Sequence, residues 1–311
     1  MVLADRFLKD LARLVPLPAR IGIAVSGGPD SMALLWLAHE ALPGQVEAAT
    51  VDHGLRAASA DEATMVADYC TAQGIPHRIL RPASPITGSL QSAARKARYA
   101  LLDDWRRERG IDWLLTAHHA DDQLETLLMR LNRGSGVSGL AGVRAHNGAV
   151  LRPLLGWRKA ELLALAREQG APFVNDPSNA DDRFDRAALR QRLAQTDWLD
   201  PAAATRSAAA LAEAADALQW LTADLAARHV VPDGEGWRLT ATDFPREVQR
   251  RLVLYMLALA APDAPAPRGD ALDGALAQLI VRGRAMLGDW ILSGGESWTL
   301  RPAPPRRQSG Q

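Results

Sequence analysis

The chain has 311 residues, with 36 Lys plus Arg against 36 Asp plus Glu and therefore no formal net charge, and a single cysteine, Cys70. Balanced charge excludes a nucleic-acid partner held by a global positive field and leaves that task to local basic clusters; one cysteine excludes a disulfide framework and any all-cysteine metal site. No run approaches the roughly 18 apolar residues of a membrane span and the start lacks a charged-then-apolar leader, so a cytoplasmic protein is expected.

In chain order, Phe7, Leu8, Leu11, Leu14 and Val15 recur at helical spacing, which predicts an amphipathic helix over 4–15 that Pro16 and Pro18 end. The apolar run Ile21-Gly22-Ile23-Ala24-Val25 then meets Ser26-Gly27-Gly28-Pro29-Asp30-Ser31 and a helical pattern, which reads as strand, phosphate loop and helix. Adjacent glycines let backbone N–H groups face an anion, the helix start adds partial positive charge, and Ser26 and Ser31 add hydroxyl donors. A Walker loop would need a lysine to meet the β- and γ-phosphates, and none is present. Asp30 is an acid in an anion cradle, which makes sense if it shares Mg²⁺ with the phosphates. The bland alternative is an ordinary Gly-rich turn.

Val46 to Val51 is a second strand ending in Asp52-His53-Gly54-Leu55-Arg56, before a helix that Ser59 is expected to cap. Pro76 to Leu80 is a third strand, Ser89 to Arg109 a long helix, and Ile111 to Thr116 a fourth strand. It leads into His118-His119-Ala120-Asp121-Asp122-Gln123-Leu124-Glu125 and a helix to Leu131. A Gly/Ser-rich segment, 132–142, precedes a fifth strand at 150–155 and a helix at 157–169. Such alternation predicts an α/β fold, a doubly wound parallel sheet with helices on both faces and a ligand site beyond the strand ends.

Past Asp197 the pattern changes to an Ala-rich helix over 202–229, helices over 242–259 and 270–281, a small hairpin at 285–301 and a Pro/Arg tail expected to be disordered. The organisation expected is a catalytic domain over 1–200 and a small, mainly helical domain over 201–311. Most of the nine tryptophans are expected in the core.

Asp121, Asp122 and Glu125 open the helix after the fourth strand, and Asp122 and Glu125 share a face. Three readings fit: acids complementing a helix N-terminus, a hydrolytic metal site, or carboxylates holding a substrate ammonium or guanidinium. Arg95, Lys96, Arg98, Arg106 and Arg107 crowd the long helix. Either they form a charge-paired solvated face, since Asp103, Asp104 and Glu108 interleave with them, or Arg95 and Arg98 meet phosphate. Arg183, Arg186 and Arg190 alternate with acids in the same way, and RNA backbone contact is the reading preferred there.

Ser-Gly-Gly-x-Asp-Ser after a first strand resembles the pyrophosphate loop of the ATP pyrophosphatases. Further motifs narrow the likeness: Val51-Asp52-His53-Gly54-Leu55-Arg56 with Ser59 and Glu62; Ala94-Arg95-x-x-Arg98-Tyr99; His118-His119-x-Asp121-Asp122-Gln123-x-Glu125-Thr126; Arg133-Gly134-Ser135-Gly136 with Gly139-Leu140; and Asn175-Asp176-x-Ser178-Asn179-x-x-Asp182. Over about residues 20–192 the chain is similar to the tRNA(Ile)-lysidine synthases, in a short form. It departs from their pattern at Ala187, where an asparagine is expected.

The resemblance implies an adenine nucleotide α-hydrolase-like fold. It implies a ligase that adenylates C2 of cytidine 34 in a CAU anticodon with ATP and Mg²⁺, then joins lysine there to give lysidine. Ser26, Gly27, Gly28, Pro29, Asp30 and Ser31 would hold ATP with Asp30 on the metal, and Ala24 and Asp52 would lie near adenine and ribose. Asp122 and Glu125 would bind lysine under the Arg133–Gly142 loop, and Arg95, Arg98, Arg133, Arg183 and Arg190 would contact substrates. The catalytic set expected is Asp30, Asp122, Glu125 and Arg95, with tRNA(Ile) as partner. A tRNA thiolase would need more cysteine than Cys70. Another tRNA-acting pyrophosphatase, or a nucleotide-binding protein without catalysis, stands as the alternative.

Overall fold

The computed structural model describes residues 3–54, 58–83, 90–174 and 185–304. It divides into two compact units, Met1–Ala212 and Glu213–Gln311, the division falling inside the long helix α9 (Pro201–His229).

The first unit is built on strands β1 (Ile21–Ala24), β2 (Val46–Val51), β3 (His77–Leu80), β4 (Trp113–Leu115), β5 (His146–Asn147) and β6 (Val150–Leu151), in the order β3-β2-β1-β4-β6-β5. Every pair is parallel except β5–β6 at one edge. The chain winds outward from β1 to β3 and then returns to place β4 on the other side of β1. That reversal opens a crevice between the carboxyl ends of β1 and β4, where doubly wound sheets take their ligands.

Sterics fix how closely the helices approach. Helix α1 (Leu3–Ala12) buries Phe7 and Leu11 in a core with Met32, Leu34, Leu35 and Leu37 of α2 (Pro29–Ala41). On the other face, Trp105 of α4 (Leu90–Glu108) lies over β1 at Gly22, where an added Cβ would come within 2.8 Å of its ring. Cys70 is buried in α3 (Ala58–Ala72), and burial pushes its thiol up to about 12, as suits a packing residue.

The fifth strand is shorter than expected. Only Val150 and Leu151 pair with β4, because Pro153 cannot donate to a ladder, and the antiparallel β5 beside it was not predicted. Two further helices flank this unit, α7 (Lys159–Glu168) and α8 (Asp185–Ala194).

The second unit has the expected helices, α10 (Arg246–Ala260) and α11 (Gly269–Ile280), but also more sheet than expected. Strands β7 (Val230–Asp233), β8 (Gly236–Leu239), β9 (Arg284–Leu287), β10 (Trp290–Ser293) and β11 (Trp298–Pro302) form one antiparallel sheet in the order β7-β8-β11-β10-β9. Leu252, Val253, Met256, Leu276 and Leu279 close its core against Leu239, Leu292 and Leu300. Trp198 and Trp220, 79% and 71% exposed, are the exceptions to the expectation of core tryptophans. The tail expected to be disordered from Arg301 starts later, since Arg301 and Pro302 end the paired strand β11; beyond residue 304 that expectation lies outside the described residues. No described helix is long and apolar enough to cross a membrane.

Candidate active site

The loop after β1 is held open by its own serines. The Ser26 N–H donates to Ser31 Oγ at 3.1 Å, the two hydroxyls lie 3.2 Å apart, and Ser31 Oγ–H donates to the Gly28 carbonyl at 2.9 Å. Gly27 takes a left-handed φ of +80°, open to glycine without strain, and its carbonyl accepts the Val174 N–H at 3.0 Å. Pro29 at the first position of α2 has no donor to lose there. Asp30 follows, with Oδ1 buried and without a hydrogen-bond partner.

From β4 comes the facing wall. His119 is 3% exposed and caps α5 (Ala120–Leu131): its Nδ1 accepts the Asp122 N–H at 3.3 Å while Asp122 Oδ2 accepts the His119 N–H at 3.2 Å. With Nδ1 an acceptor, the ring proton sits on Nε2, which lies 3.5 Å from both Asp30 Oδ2 and Asp122 Oδ2. Burial pulls the imidazole pKa down, but the hydrogen bond to Asp30 and the charges of Asp122, Asp30 and Asp121 outweigh it and raise it overall. His119 thus joins the acid of the first loop to the acid of the second helix. Its sequence signal was a histidine three residues before an acid at a helix start, the spacing of a capping box. Its neighbour His118 pairs instead with Thr116 Oγ1 at 3.0 Å.

The three acids of α5 part company here. Asp121 accepts the Lys159 N–H at 2.8 Å and Arg158 Nη2 at 3.4 Å, so it is spent on the start of α7. Asp122 faces His119. Glu125, 3% exposed, takes both forks of Arg190 from α8, Nε to Oε1 at 2.7 Å and Nη2 to Oε2 at 2.9 Å. Arg190 Nη2 also comes within 4.0 Å of Asp122 Oδ1, and this carboxylate company raises its pKa. Arg190, read as an RNA contact, therefore belongs to the same cluster as Asp30, His119, Asp122 and Glu125.

The 132–142 segment has supports of its own. Arg130 Nη1 donates to the carbonyls of Gly139 at 2.5 Å and Gly142 at 2.9 Å, and the Gln123 amide exchanges bonds with Val143 at 2.6 and 3.2 Å. A short helix, α6 (Val137–Leu140), lies within it, and Arg133 is exposed near its start.

At the end of β2, Asp52 is buried and both its oxygens are held. Oδ1 accepts Ser59 Oγ–H at 2.7 Å and the Gly54 N–H at 3.0 Å, and Oδ2 accepts Arg81 Nε at 3.1 Å. The Ser59 bond, joined by those of Gly54 and Arg81 against the opposing effect of burial, holds the carboxyl below its usual range. Ser59 lies inside α3 and serves Asp52, where a cap was expected. Ala24 ends β1 beside Ala49 of β2.

Along α4 the arginines divide. Arg106 and Arg107 pair with Asp103 at 3.0 and 2.6 Å, the charge-paired face. Arg95 stacks over the Tyr99 ring, and Arg98 Nε donates to His53 Nε2 at 3.2 Å; neither has a carboxylate partner among the described residues. Arg183 and the 175–182 motif lie outside the described residues, as do Leu55 and Arg56.

Over residues 4–197 the chain matches the family described as PP-loop domain. It is 41% identical over 304 residues to the tRNA(Ile)-lysidine synthase of Zymomonas mobilis, covering 94% of this chain and 92% of that protein. The tRNA(Ile)-lysidine synthase of Novosphingobium aromaticivorans is 44% identical over 319 aligned residues, 98% of this chain and 95% of that one. Among solved structures, the U34-tRNA thiolase of Methanococcus maripaludis superposes with a TM-score of 0.56 at 19% identity, over 68% of this chain and 77% of that one, a likeness of fold alone.

Proposed function

The chain belongs to the PP-loop family and, within it, to the tRNA(Ile)-lysidine synthases, and from that premise we propose that it ligates lysine to C2 of the wobble cytidine 34 in a tRNA(Ile) with a CAU anticodon. The observation that carries this is the meeting of two unlike half-sites in one crevice. A phosphate loop occupies the end of β1, and a buried carboxylate cluster occupies the end of β4. A nucleotide-binding protein without catalysis would need only the first.

The C2 oxygen of cytidine is a poor leaving group. Its attack on the α-phosphorus of ATP expels pyrophosphate and makes that oxygen part of a leaving AMP. The lysine ε-amine then attacks C2, AMP departs, and a proton is lost from nitrogen. Charge building on the phosphates is met by the loop N–H groups, the serine hydroxyls and the α4 arginines Arg95 and Arg98. On the acid side, Asp122 and Glu125 answer the ammonium groups of the arriving lysine, whose ε-nitrogen gives up a proton to solvent to become the attacking amine. Arg190 holds Glu125 aimed through both of its oxygens, and the braced 133–142 segment covers the amino acid.

Mg²⁺ fits Asp30, whose Oδ1 is buried without a partner in the loop. No cluster of three or more His, Cys, Asp or Glu among the described residues is placed to hold an ion alone, so phosphate oxygens and water would complete the shell. When bound, the ion neutralises phosphate charge. Release of pyrophosphate from ATP tests the reading: it should require tRNA(Ile) and proceed without lysine. ATP binding with no release under any combination of substrates would leave the non-catalytic alternative standing.

A further inference from the structure

One arginine is buried in the run that follows β6. Leu151, Arg152, Pro153, Leu154 and Leu155 are all buried, and Arg152 is 6% exposed. Its Nη1 donates to the Arg144 carbonyl at 2.7 Å, its Nε is buried with no partner, and no carboxylate pairs with it among the described residues. A guanidinium withdrawn from water without a counter-ion is expensive, so a position like this calls for an anion that arrives with a ligand.

Place decides which anion. Leu151 pairs with Leu115 of β4, and its carbonyl accepts the Thr116 N–H at 3.1 Å, which sets Arg152 at the same carboxyl edge of the sheet as the site. The strand order puts β6 beyond β4 from β1, two strands, or about 10 Å, from the phosphate loop. The segment that Arg152 braces is also pinned to α5, since Val143 is held by Gln123, the residue after Asp122. Arg152 therefore stands on the amino-acid side of the crevice.

Free lysine brings two ammonium groups and one carboxylate. Asp122 and Glu125 can answer only the ammonium groups, and Arg190 is committed to both oxygens of Glu125. Building on the ligation reading above, we propose that Arg152 receives the α-carboxylate of the incoming amino acid. In this role it distinguishes an amino acid from a plain amine of the same length.

The full-length enzyme is assayed with tRNA(Ile), ATP and either L-lysine or cadaverine, which has the same chain and amine but no carboxylate. Wild type should prefer lysine. Arg152→Met, close in length and uncharged, should lower kcat/KM for lysine by about ten- to a hundred-fold, the loss of one charge-assisted contact. It should leave cadaverine use, and pyrophosphate release without any amine, within roughly two-fold, so that the preference vanishes; Arg152→Lys should fall between. A preference that survives in Arg152→Met overturns the proposal. An equal fall with both amines and in pyrophosphate release overturns it in favour of a structural brace, and a rise in KM for ATP alone overturns it in favour of a phosphate contact. If wild type joins neither amine to tRNA, the ligation reading fails, and the proposal with it, before any variant is compared.

Discussion

Replacing Asp30 by alanine should separate stability from activity, because the carboxylate is poorly satisfied where it stands. Its Oδ1 is buried and unpartnered, while Oδ2 sits 3.5 Å from His119 Nε2, a long contact, with a quarter of the side chain exposed. Relief of that strained burial is worth about 1 kcal/mol, the lower end for an unsatisfied polar group. Against this, an acid in the first turn of α2 gains about 0.3–1 kcal/mol from the helix dipole, so the two nearly cancel. Urea unfolding of Asp30→Ala should therefore lie within about 1 kcal/mol of wild type, on either side. Pyrophosphate release should drop by at least about 10²-fold, as for loss of one preorganised electrostatic group, and excess Mg²⁺ should not restore it. A variant destabilised by more than about 2 kcal/mol, or one that still releases pyrophosphate near the wild-type rate, would refute the assignment of Asp30 to metal and phosphate.

Three more outcomes follow from the same geometry. Asp122→Asn and Glu125→Gln should each raise the lysine KM by about ten- to a hundred-fold, read from initial rates at saturating ATP and tRNA; unchanged lysine dependence in both would return these acids to a helix-dipole role. Asp52→Asn should be less stable than wild type at neutral pH. Because the folded carboxyl lies below its ordinary value of 3.8, that stabilisation is complete above the unfolded value and lost as pH falls through the lowered folded one, so melting curves of the two proteins should converge only below about pH 4. A gap independent of pH would mean the charge is not what Ser59, Gly54 and Arg81 recognise. With no net charge on the chain, tRNA affinity should rest on local arginine contacts, and even three phosphate contacts would cost roughly 40-fold between 50 and 200 mM salt in a filter-binding titration. A flat salt dependence would rule such contacts out.

Much of the first unit was legible because its signals are local and strong. The glycine turn of the phosphate loop and the apolar runs of β1, β2 and β4 act within a few residues of themselves, whereas the cap expected at Ser59 serves Asp52 and the cap of α5 is His119. What the acids of α5 do was not legible, because periodicity places Asp122 and Glu125 on one face but cannot say that Asp121 is drawn away by the start of α7, or that Arg190 returns from α8 to claim Glu125. Arg152 falls inside the 150–155 run, whose apolar character predicts a strand. Its one sequence signal was a lone cation inside an apolar run.

In the second unit, the β7–β8 hairpin was missed although Asp233-Gly234 is a turn signal. The Ala-rich helix runs straight into β7 without a breaker, and Pro232 argues against a strand unless that strand is an edge, which β7 is.

Nucleoside mass spectrometry of a CAU-anticodon isoleucine tRNA, after incubation with the enzyme, ATP, Mg²⁺ and lysine, tests the central claim most directly. Position 34 should carry a cytidine heavier by one lysine less one water, and only when both ATP and lysine are present. An unmodified cytidine 34 in a reaction that nonetheless consumes ATP and releases pyrophosphate would contradict it.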